Sequence, residues 1–193
     1  MIGSILKGQK VILRPMKVSE AKNYLVWFKD PKVSRFLSSD NISLTLSEEK
    51  KYIQGVRKSK EKIPWSIYLR EGNVHIGSTS LMNVDKKNKK AEWGIVIGRK
   101  EFWGQRLADD VVKLILKYAF SKLKLNRVEL GVYVKHKGGI RCYKRCGFKH
   151  EGIKRKSFYR KVCRKVFEIC INNDICWVFT VIKWEGLCYF IFI

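Results

Sequence analysis

A strand, a glycine-containing loop and an amphipathic helix follow one another in the stretch IVIGRKEFWGQRLADD, residues 95–110. The apolar residues of the helix recur with a period of 3.6 and continue past residue 110: Leu107, Val111, Leu114, Ile115, Tyr118 and Ala119. The first N–H groups of such a helix have no intrahelical acceptor and lie at the positive end of its dipole. The junction therefore predicts a pyrophosphate site, although a glycine before a helix is often only a turn.

Regular elements are predicted on both sides of this junction. Strands are expected at residues 11–13, 65–69, 74–81, 91–97 and 127–134 and from residue 148 onward. Helices are expected after an N-cap at Ser19, after Ser47 and over residues 140–146, with Pro31 ending the first of them. This order predicts an α/β protein whose mixed sheet is mostly antiparallel and is flanked by helices. A βαβ unit would make residues 91–97 and 127–134 parallel neighbours.

The bulk composition fits a globular protein of one domain. The chain has 193 residues, 46% of them hydrophobic, and only three prolines. We expect residues 1–161 to form the main body and residues 162–193 to add divergent strands to the same domain. Because the first ten residues lack a signal-peptide pattern and no apolar run reaches about 18 residues, we expect a cytoplasmic protein without a membrane contact.

The formal net charge of +24 is concentrated between residues 135 and 165. Such a cluster indicates either an acidic partner, such as nucleic acid, the ribosome or a phosphorylated cofactor, or simply a solvated basic surface. Among the six cysteines, Cys142 and Cys146 lie four residues apart on a predicted helix. No second CxxC pair or nearby histidine completes a zinc set, so no metal is expected.

A second segment supports the first. It runs NRVELGVYV over residues 126–134 and GIRCYKRCGF over residues 139–148. Together the two segments resemble the GNAT superfamily of N-acetyltransferases, and within it the ribosomal-protein-alanine and polyamine acetyltransferases. The resemblance covers most of residues 11–161. Its specific parts are Trp103-Gly104 before a helix and the spaced string Ile140, Tyr143, Gly147-Phe148.

The resemblance implies acetyl-CoA as cosubstrate, without a metal, and direct acetyl transfer to a primary amine in a ternary complex. The pantetheine arm would lie along the strand that contains Ile95, Val96 and Ile97. The pyrophosphate would lie in the loop formed by Trp103, Gly104, Gln105, Arg106, Leu107 and Ala108. His136 takes the place of an asparagine that is usually functional in the family, and it is therefore included among the expected cofactor-binding residues.

Two residues are candidates for the proton transfers that the resemblance implies. Tyr143 would protonate the leaving thiolate, and a phenol suits that task because it stays protonated at neutral pH. A packed aromatic side chain is the alternative for Tyr143. Glu92 would be the base that deprotonates the amine, and its alternative role is an exposed partner of Lys89 or Lys90. His75, His136 and His150 are interpreted as surface or packed histidines.

The sequence departs from the family pattern in three places. Arg106 replaces a second glycine, so it is strained if the position needs a positive φ, and otherwise its guanidinium could bind phosphate. Gly138-Gly139 is a poor start for a helix. After residue 161 the pattern is lost, which indicates either a shifted reading frame or a variant pair of strands at residues 166–171 and 175–182.

The acceptor amine could belong to a small molecule, such as an amino sugar, or to a protein N-terminus. The assembly could be a monomer or a homodimer. The alternative function is a catalytically degenerate GNAT-fold module that binds RNA or the ribosome through the basic surface.

Overall fold

One eight-stranded sheet organises the part of the chain that the structure describes. This computed structural model describes the backbone of residues 3–37, 45–158 and 174–182, and the side chains of residues 3–37 and 45–154. The strands are β1 (Leu6–Lys7), β2 (Val11–Pro15), β3 (Ile63–Leu69), β4 (His75–Asp85), β5 (Lys90–Ile97), β6 (Arg127–Tyr133), β7 (Lys149–Phe158) and β8 (Asp174–Ile182). Their spatial order is β1-β2-β3-β4-β5-β6-β8-β7. Every neighbouring pair is antiparallel except β5 and β6, which are parallel.

Five α-helices accompany the sheet: α1 (Ala21–Lys29), α2 (Pro31–Ser34), α3 (Leu46–Lys58), α4 (Leu107–Lys117) and α5 (Lys137–Arg145). Short 3-10 turns precede α1 and follow β5, at Val18–Glu20 and Lys100–Phe102. A turn of π-helix, Tyr118–Lys122, extends α4. No described helix combines the length and the apolar composition that crossing a bilayer requires.

Two hydrophobic clusters cover the two faces of the sheet. The larger one joins the strands to α4 and α5, and it includes Trp93 and Ile115. The smaller one lies under α1 and α3, around Tyr24 and Ile53. Ile95 and Ile97 pack against the larger cluster, whereas Val96 between them packs against the smaller one. Because successive side chains of a strand point to opposite faces, the two clusters lie on opposite sides of β5.

The predicted α/β class, the antiparallel meander and the parallel pair are confirmed. Three helix starts were wrong. Ser19 lies inside the 3-10 turn, which is closed instead by the Glu20 carboxylate accepting from the backbone N–H of Lys17. α3 begins after Thr45, whose hydroxyl accepts from the N–H of Glu48. In each case a residue one or two positions from the expected cap makes the capping bonds.

The third wrong start is that of α5, which begins at Lys137 rather than at residue 140. His136 caps it by accepting a hydrogen bond from the N–H of Gly139 at 3.4 Å. The first helix, α1, ends at Lys29, just before Pro31 as expected, and Pro31 then opens α2. Proline suits the first turn of a helix because the N–H that it lacks would have no partner there.

The C-terminal part of the sheet is completed by β8. On one side β8 pairs with β6, from Arg127 opposite Ile182 to Tyr133 opposite Cys176. On its other side it pairs with β7. The prediction of a strand at residues 175–182 is therefore met in position. The strand expected at residues 166–171 lies outside the described residues.

Candidate active site

A wedge-shaped opening separates β5 from β6. The two strands pair only at Lys90–Arg127, Ala91–Val128 and Glu92–Glu129. Beyond Glu92, β5 stays paired with β4 as far as Ile97, and β6 stays paired with β8 as far as Tyr133. Both strands are therefore intact where they diverge. The edge of residues 93–97 that faces the opening is not paired with β6. Its main-chain N–H and C=O groups can therefore bind an extended ligand in the way that they would bind a neighbouring strand.

The loop that follows β5 is held in shape by its own side chains. Trp103 donates from Nε1 to the carbonyl of Ile97 at 2.8 Å, and Gln105 donates from Nε2 to the carbonyl of Glu101 at 2.9 Å. Gly104 has a φ of 80° and open space around it, so the loop can approach a ligand closely there. Because these two side chains are engaged within the loop, the groups suited to bind an anion here are the backbone N–H groups at the start of α4.

Arg106 occupies the N-cap of α4 with a φ of 58° and a ψ of 23°. This is the left-handed region, so the first of the two alternatives for this residue is confirmed: the position needs a positive φ. A residue with a Cβ atom costs about 1–2 kcal/mol in that region. The glycine that the family pattern has here would avoid the cost.

The first residues of α4 connect the loop to the rest of the domain. The side chain of Leu107 is buried in the larger cluster and that of Ala108 packs against it, so only their N–H groups remain for a ligand. Asp110 accepts from the backbone N–H groups of Lys10 and Val11 through Oδ2, at 2.8 and 3.1 Å. β2 is thereby fastened to the start of α4, which fixes the loop from behind.

Tyr143 lies on α5 next to the opening. Its ring meets that of Trp93, the first β5 residue beyond the paired region, edge to face with centroids 5.6 Å apart. It also packs near Phe148. Burial, and then the neighbouring thiols of Cys142 and Cys146, hold the pKa of Tyr143 well above its usual value. The phenol therefore keeps its proton throughout the neutral range.

Glu92 lies at the point where the strands begin to diverge. It is exposed, and its partner in register on β6 is Glu129. Within the described residues no ion pair joins Glu92 to Lys89 or Lys90. Arg127 is bonded to both Glu129, at 2.7 Å, and Glu151, at 2.6 Å. Arg127 thus pairs with two carboxylates, and Glu92, Glu129 and Glu151 form a local acidic group at this end of the sheet, next to the basic Lys90 and Arg127.

His136 lies at the mouth of the opening, between β6 and α5. Besides capping α5, its ring stacks on Phe36 with centroids 4.4 Å apart and planes 8° from parallel. Burial and the charge of Arg35 lower the pKa of His136, so the ring is neutral at pH 7. The stack brings the segment after α2 against the β6–α5 connection. Like His136, His75 is packed, whereas His150 is exposed.

Sequence reasoning missed a buried polar network on the α1 side of the sheet. The Glu20 carboxylate is 7% exposed and accepts from Ser66 Oγ and from Tyr68 Oη, both at 2.5 Å. The Tyr24 hydroxyl lies 2.8 Å from Ser66 Oγ and 3.2 Å from His75 Nε2. The spacing of Glu20 and Tyr24, one helical turn apart, was the available signal.

This network borders a cleft of about 400 Å³ lined by Asn23, Val26, Trp27, His75 and Arg99. The cleft lies beside the end of β5, because Gly98 and Arg99 both donate to the carbonyl of Ile76 at the start of β4. Burial lowers the pKa of His75. A neutral imidazole and a guanidinium therefore line the surface next to the loop that follows β5.

Comparison with known proteins places this site in a family. Residues 10–149 match the family described as Acetyltransferase (GNAT) domain. The uncharacterized N-acetyltransferase p20 of Bacillus licheniformis is 25% identical over 167 residues, 85% of this chain and 92% of that protein. The spermidine N(1)-acetyltransferase of Vibrio cholerae is 30% identical over 84 residues, 44% of this chain and 48% of that protein.

A solved structure of spermidine N-acetyltransferase from Vibrio cholerae, in complex with CoA and spermine, shares the fold. Its TM-score is 0.76 at 17% identity, over 90% of this chain and 95% of that one. The family match spans most of the chain, including both the loop before α4 and the α5 segment. The chain belongs to the GNAT family of acetyltransferases, and acetyl-CoA-dependent N-acyl transfer is its class of reaction.

Proposed function

We propose that this protein transfers the acetyl group of acetyl-CoA directly to a primary amine, with Tyr143 as the acid and Glu92 as the base. One observation supports this most strongly: both residues flank the point where β5 and β6 diverge. Glu92 is the last paired residue of β5, and Trp93, which contacts Tyr143, is the next one. Since neighbouring strand residues face opposite sides, the two groups approach that point from opposite faces of the sheet.

The same opening accounts for binding of the cosubstrate. The main chain of Ile95, Val96 and Ile97 offers donors and acceptors along the free edge of β5, which suits the amides of a pantetheine arm. The pyrophosphate would bind the N–H groups around Gly104 and at the start of α4. Trp103 and Gln105 keep the loop in shape, while Leu107 and Ala108 contribute through the backbone. His136 closes the other side by capping α5.

The proton transfers follow from the two environments. Glu92 is exposed beside Glu129, so it is available to take a proton from an arriving ammonium group. The amine nitrogen then bonds to the thioester carbon, and the carbon–sulfur bond breaks. Tyr143, whose raised pKa keeps its proton in place, donates it to the sulfur that leaves. As the amide forms, its nitrogen loses a second proton, which replaces through solvent the one that Tyr143 gave to the sulfur, and Glu92 releases the first proton to solvent. Both residues are thereby restored, and no covalent enzyme intermediate is needed.

The acidic end of the sheet bears on the acceptor. A protein with a net charge of +24 repels cations in general. Glu92, Glu129 and Glu151 oppose that field locally, since Arg127 is the guanidinium bonded to two of them. An acceptor that presents a single ammonium group on an otherwise neutral or anionic body fits this distribution. A protein N-terminus or an amino sugar has that character.

The decisive experiment measures release of the CoA thiol over a panel of amines. Tyr143→Phe should lower kcat by about 100-fold or more while the affinity for acetyl-CoA stays the same, because the ring packing is retained. Tyr52→Phe, at an exposed tyrosine on α3, is the matched control. Glu92→Gln should lower kcat/KM by a similar factor near neutral pH, with the exposed Glu61→Gln as its control.

The wild-type protein should also gain thermal stability from acetyl-CoA. Ligand at 100 times its Kd adds about 2.7 kcal/mol by linkage. Thiol release that is unaffected by Tyr143→Phe would remove the acid from the mechanism. Absence of both thiol release and thermal stabilisation with every amine tested would refute the proposed reaction.

A second function, binding of RNA or the ribosome, is supported by the exposed basic side chains of α5 and β7. Arg141, Lys144 and Lys149 are exposed on consecutive elements. Binding to nucleic acid through them would weaken steeply as salt rises. Salt-sensitive RNA binding without any effect of acetyl-CoA would favour this function over catalysis.

A further inference from the structure

A cluster of three potential metal ligands lies beside the cofactor opening, on the helices α4 and α5. The ligand atoms of Asp109, Cys142 and Cys146 all lie within 4.8 Å of one another. Cys142 is 6% exposed, and Cys146 is half-buried. Both thiols are free. The sequence showed the two cysteines but not the carboxylate, which lies more than 30 positions earlier in the chain.

We propose that Asp109, Cys142 and Cys146 form a binding site for a thiophilic divalent cation such as Zn²⁺. The inference is independent of the acetyl-transfer mechanism, because neither thiol takes part in it. A solvent molecule would supply the fourth ligand.

The helices hold these ligands in a favourable arrangement. Cys142 lies on α5, and Cys146, four residues later, is the residue that caps its C-terminal end, so both side chains project to the same side of the helix. Asp109 lies in the first turn of α4. Around a tetrahedral zinc ion, with bonds of about 2.0–2.3 Å, neighbouring ligand atoms are roughly 3.5–3.8 Å apart. The ligand atoms lie within 4.8 Å of one another, so side-chain rotation has to bring them closer by about 1.3 Å at most.

The existing hydrogen bonds already link the three groups. The thiol of Cys142 is hydrogen-bonded to Asp109 and to Cys146. A cation that binds would replace the two thiol protons, which leave to solvent.

Arg145 is compatible with metal binding. It donates to both oxygens of Asp109, from Nε at 3.1 Å and from a terminal nitrogen at 2.8 Å. A carboxylate has about four lone-pair sites, so two remain for a cation. Two thiolates and one carboxylate carry three negative charges, which a divalent cation and the Arg145 guanidinium neutralise. Arg145 would then orient the ligating carboxylate, as hydrogen-bonded partners of metal ligands do.

Titration of the reduced full-length protein with Co²⁺ tests the proposal. Sulfur ligation produces a charge-transfer band in the near ultraviolet, which should saturate at one ion per chain and disappear when Zn²⁺ is added, since zinc binds such ligands more tightly. Cys146→Ala should weaken Co²⁺ binding by more than about 100-fold, and Asp109→Asn by about 10-fold or more. Circular dichroism checks the folding of each variant.

The four remaining cysteines need a control of their own. In a variant with Cys163, Cys170, Cys176 and Cys188 all changed to serine, the band should persist. Loss of the band in that variant, with its retention in Cys146→Ala, would place the ion in the C-terminal segment and overturn the proposal. So would a wild-type protein without any thiolate band. If Cys146→Ala does not fold, Asp109→Asn and the four-serine variant still decide the question.

Discussion

Replacement of Arg106 by glycine should stabilise the protein. The left-handed conformation at this position, with a φ of 58° and a ψ of 23°, costs a residue with a Cβ atom about 1–2 kcal/mol. Glycine avoids that cost but loses more backbone entropy on folding, by about 0.5–1 kcal/mol. The mid-range values of these two effects leave a net gain in the free energy of unfolding of about 0.75 kcal/mol. For a chain of 193 residues this corresponds to a rise in Tm of about 1–4 °C.

A second variant separates the backbone from the charge. Arg106→Ala removes the guanidinium but keeps the Cβ atom, so its stability should stay within about 0.5 kcal/mol of the wild type. The difference between the glycine and alanine variants then reports the backbone conformation alone. Chemical denaturation monitored by circular dichroism gives both free energies, and titration with acetyl-CoA gives the affinities.

The affinities of the wild type and the two variants for acetyl-CoA test whether the Arg106 guanidinium binds phosphate. If the guanidinium takes no part in phosphate binding, all three proteins bind acetyl-CoA equally well; if it does, both variants lose the same factor. The reasoning about strain would be refuted by an Arg106→Gly variant that is no more stable than Arg106→Ala.

Four further substitutions test the packing and the electrostatics of the fold. Gly98→Ala should destabilise the fold by about 1–3 kcal/mol, because the added Cβ atom would lie 2.1 Å from the buried Trp27 ring. Its control is Gly55→Ala on α3, which has open space around it and should stabilise the fold slightly. Thermal melts compare the two variants. Asp110→Ala should cost about 1–2 kcal/mol in urea unfolding, because two N–H groups at the start of β2 lose their acceptor. Burial holds the pKa of His75 below its ordinary value of 6.5 in the folded protein. As the pH falls below 6.5, the imidazole is therefore protonated more readily in the unfolded chain than in the folded one. Stability should therefore fall as the pH drops below about 6.5, and less so in His75→Gln, as measured by unfolding at pH 7.5 and 5.5.

Periodicity and turn signals were enough to predict the meander and the parallel pair. The hairpin turn at Gly72 and Asn73, both with positive φ, and the 3.6-residue repeat of α4 are local features, and local features are visible in a sequence. Helix starts were less accurate. The glycines after Lys137 argue against a helix there, but the ring of His136 supplies the capping bond that starts α5.

The candidate site was predictable where a motif carried it and not where contacts across the fold form it. The spaced string that ends at Phe148 located Tyr143. In contrast, the hydrogen bond between Glu20 and Ser66 joins residues 46 positions apart, so no local sequence pattern predicts it. For Arg106 the sequence offered two alternatives, and only the backbone conformation decides between them. The division at residue 161 stays a prediction, and an intact-mass measurement with resequencing would test the shifted-frame hypothesis.

The brief pairing between β5 and β6 has a consequence for the mechanics of the domain. Hydrogen bonds at Lys90, Ala91 and Glu92 are the seam by which two smaller sheets, β1–β5 and β6–β8, become one. A ligand that lies along residues 93–97 would lengthen that seam, so it would act as an additional strand. Amide hydrogen exchange along β5 should then slow far more on ligand binding than exchange along β3. The degree of slowing along β5 would report how much of its free edge the ligand occupies.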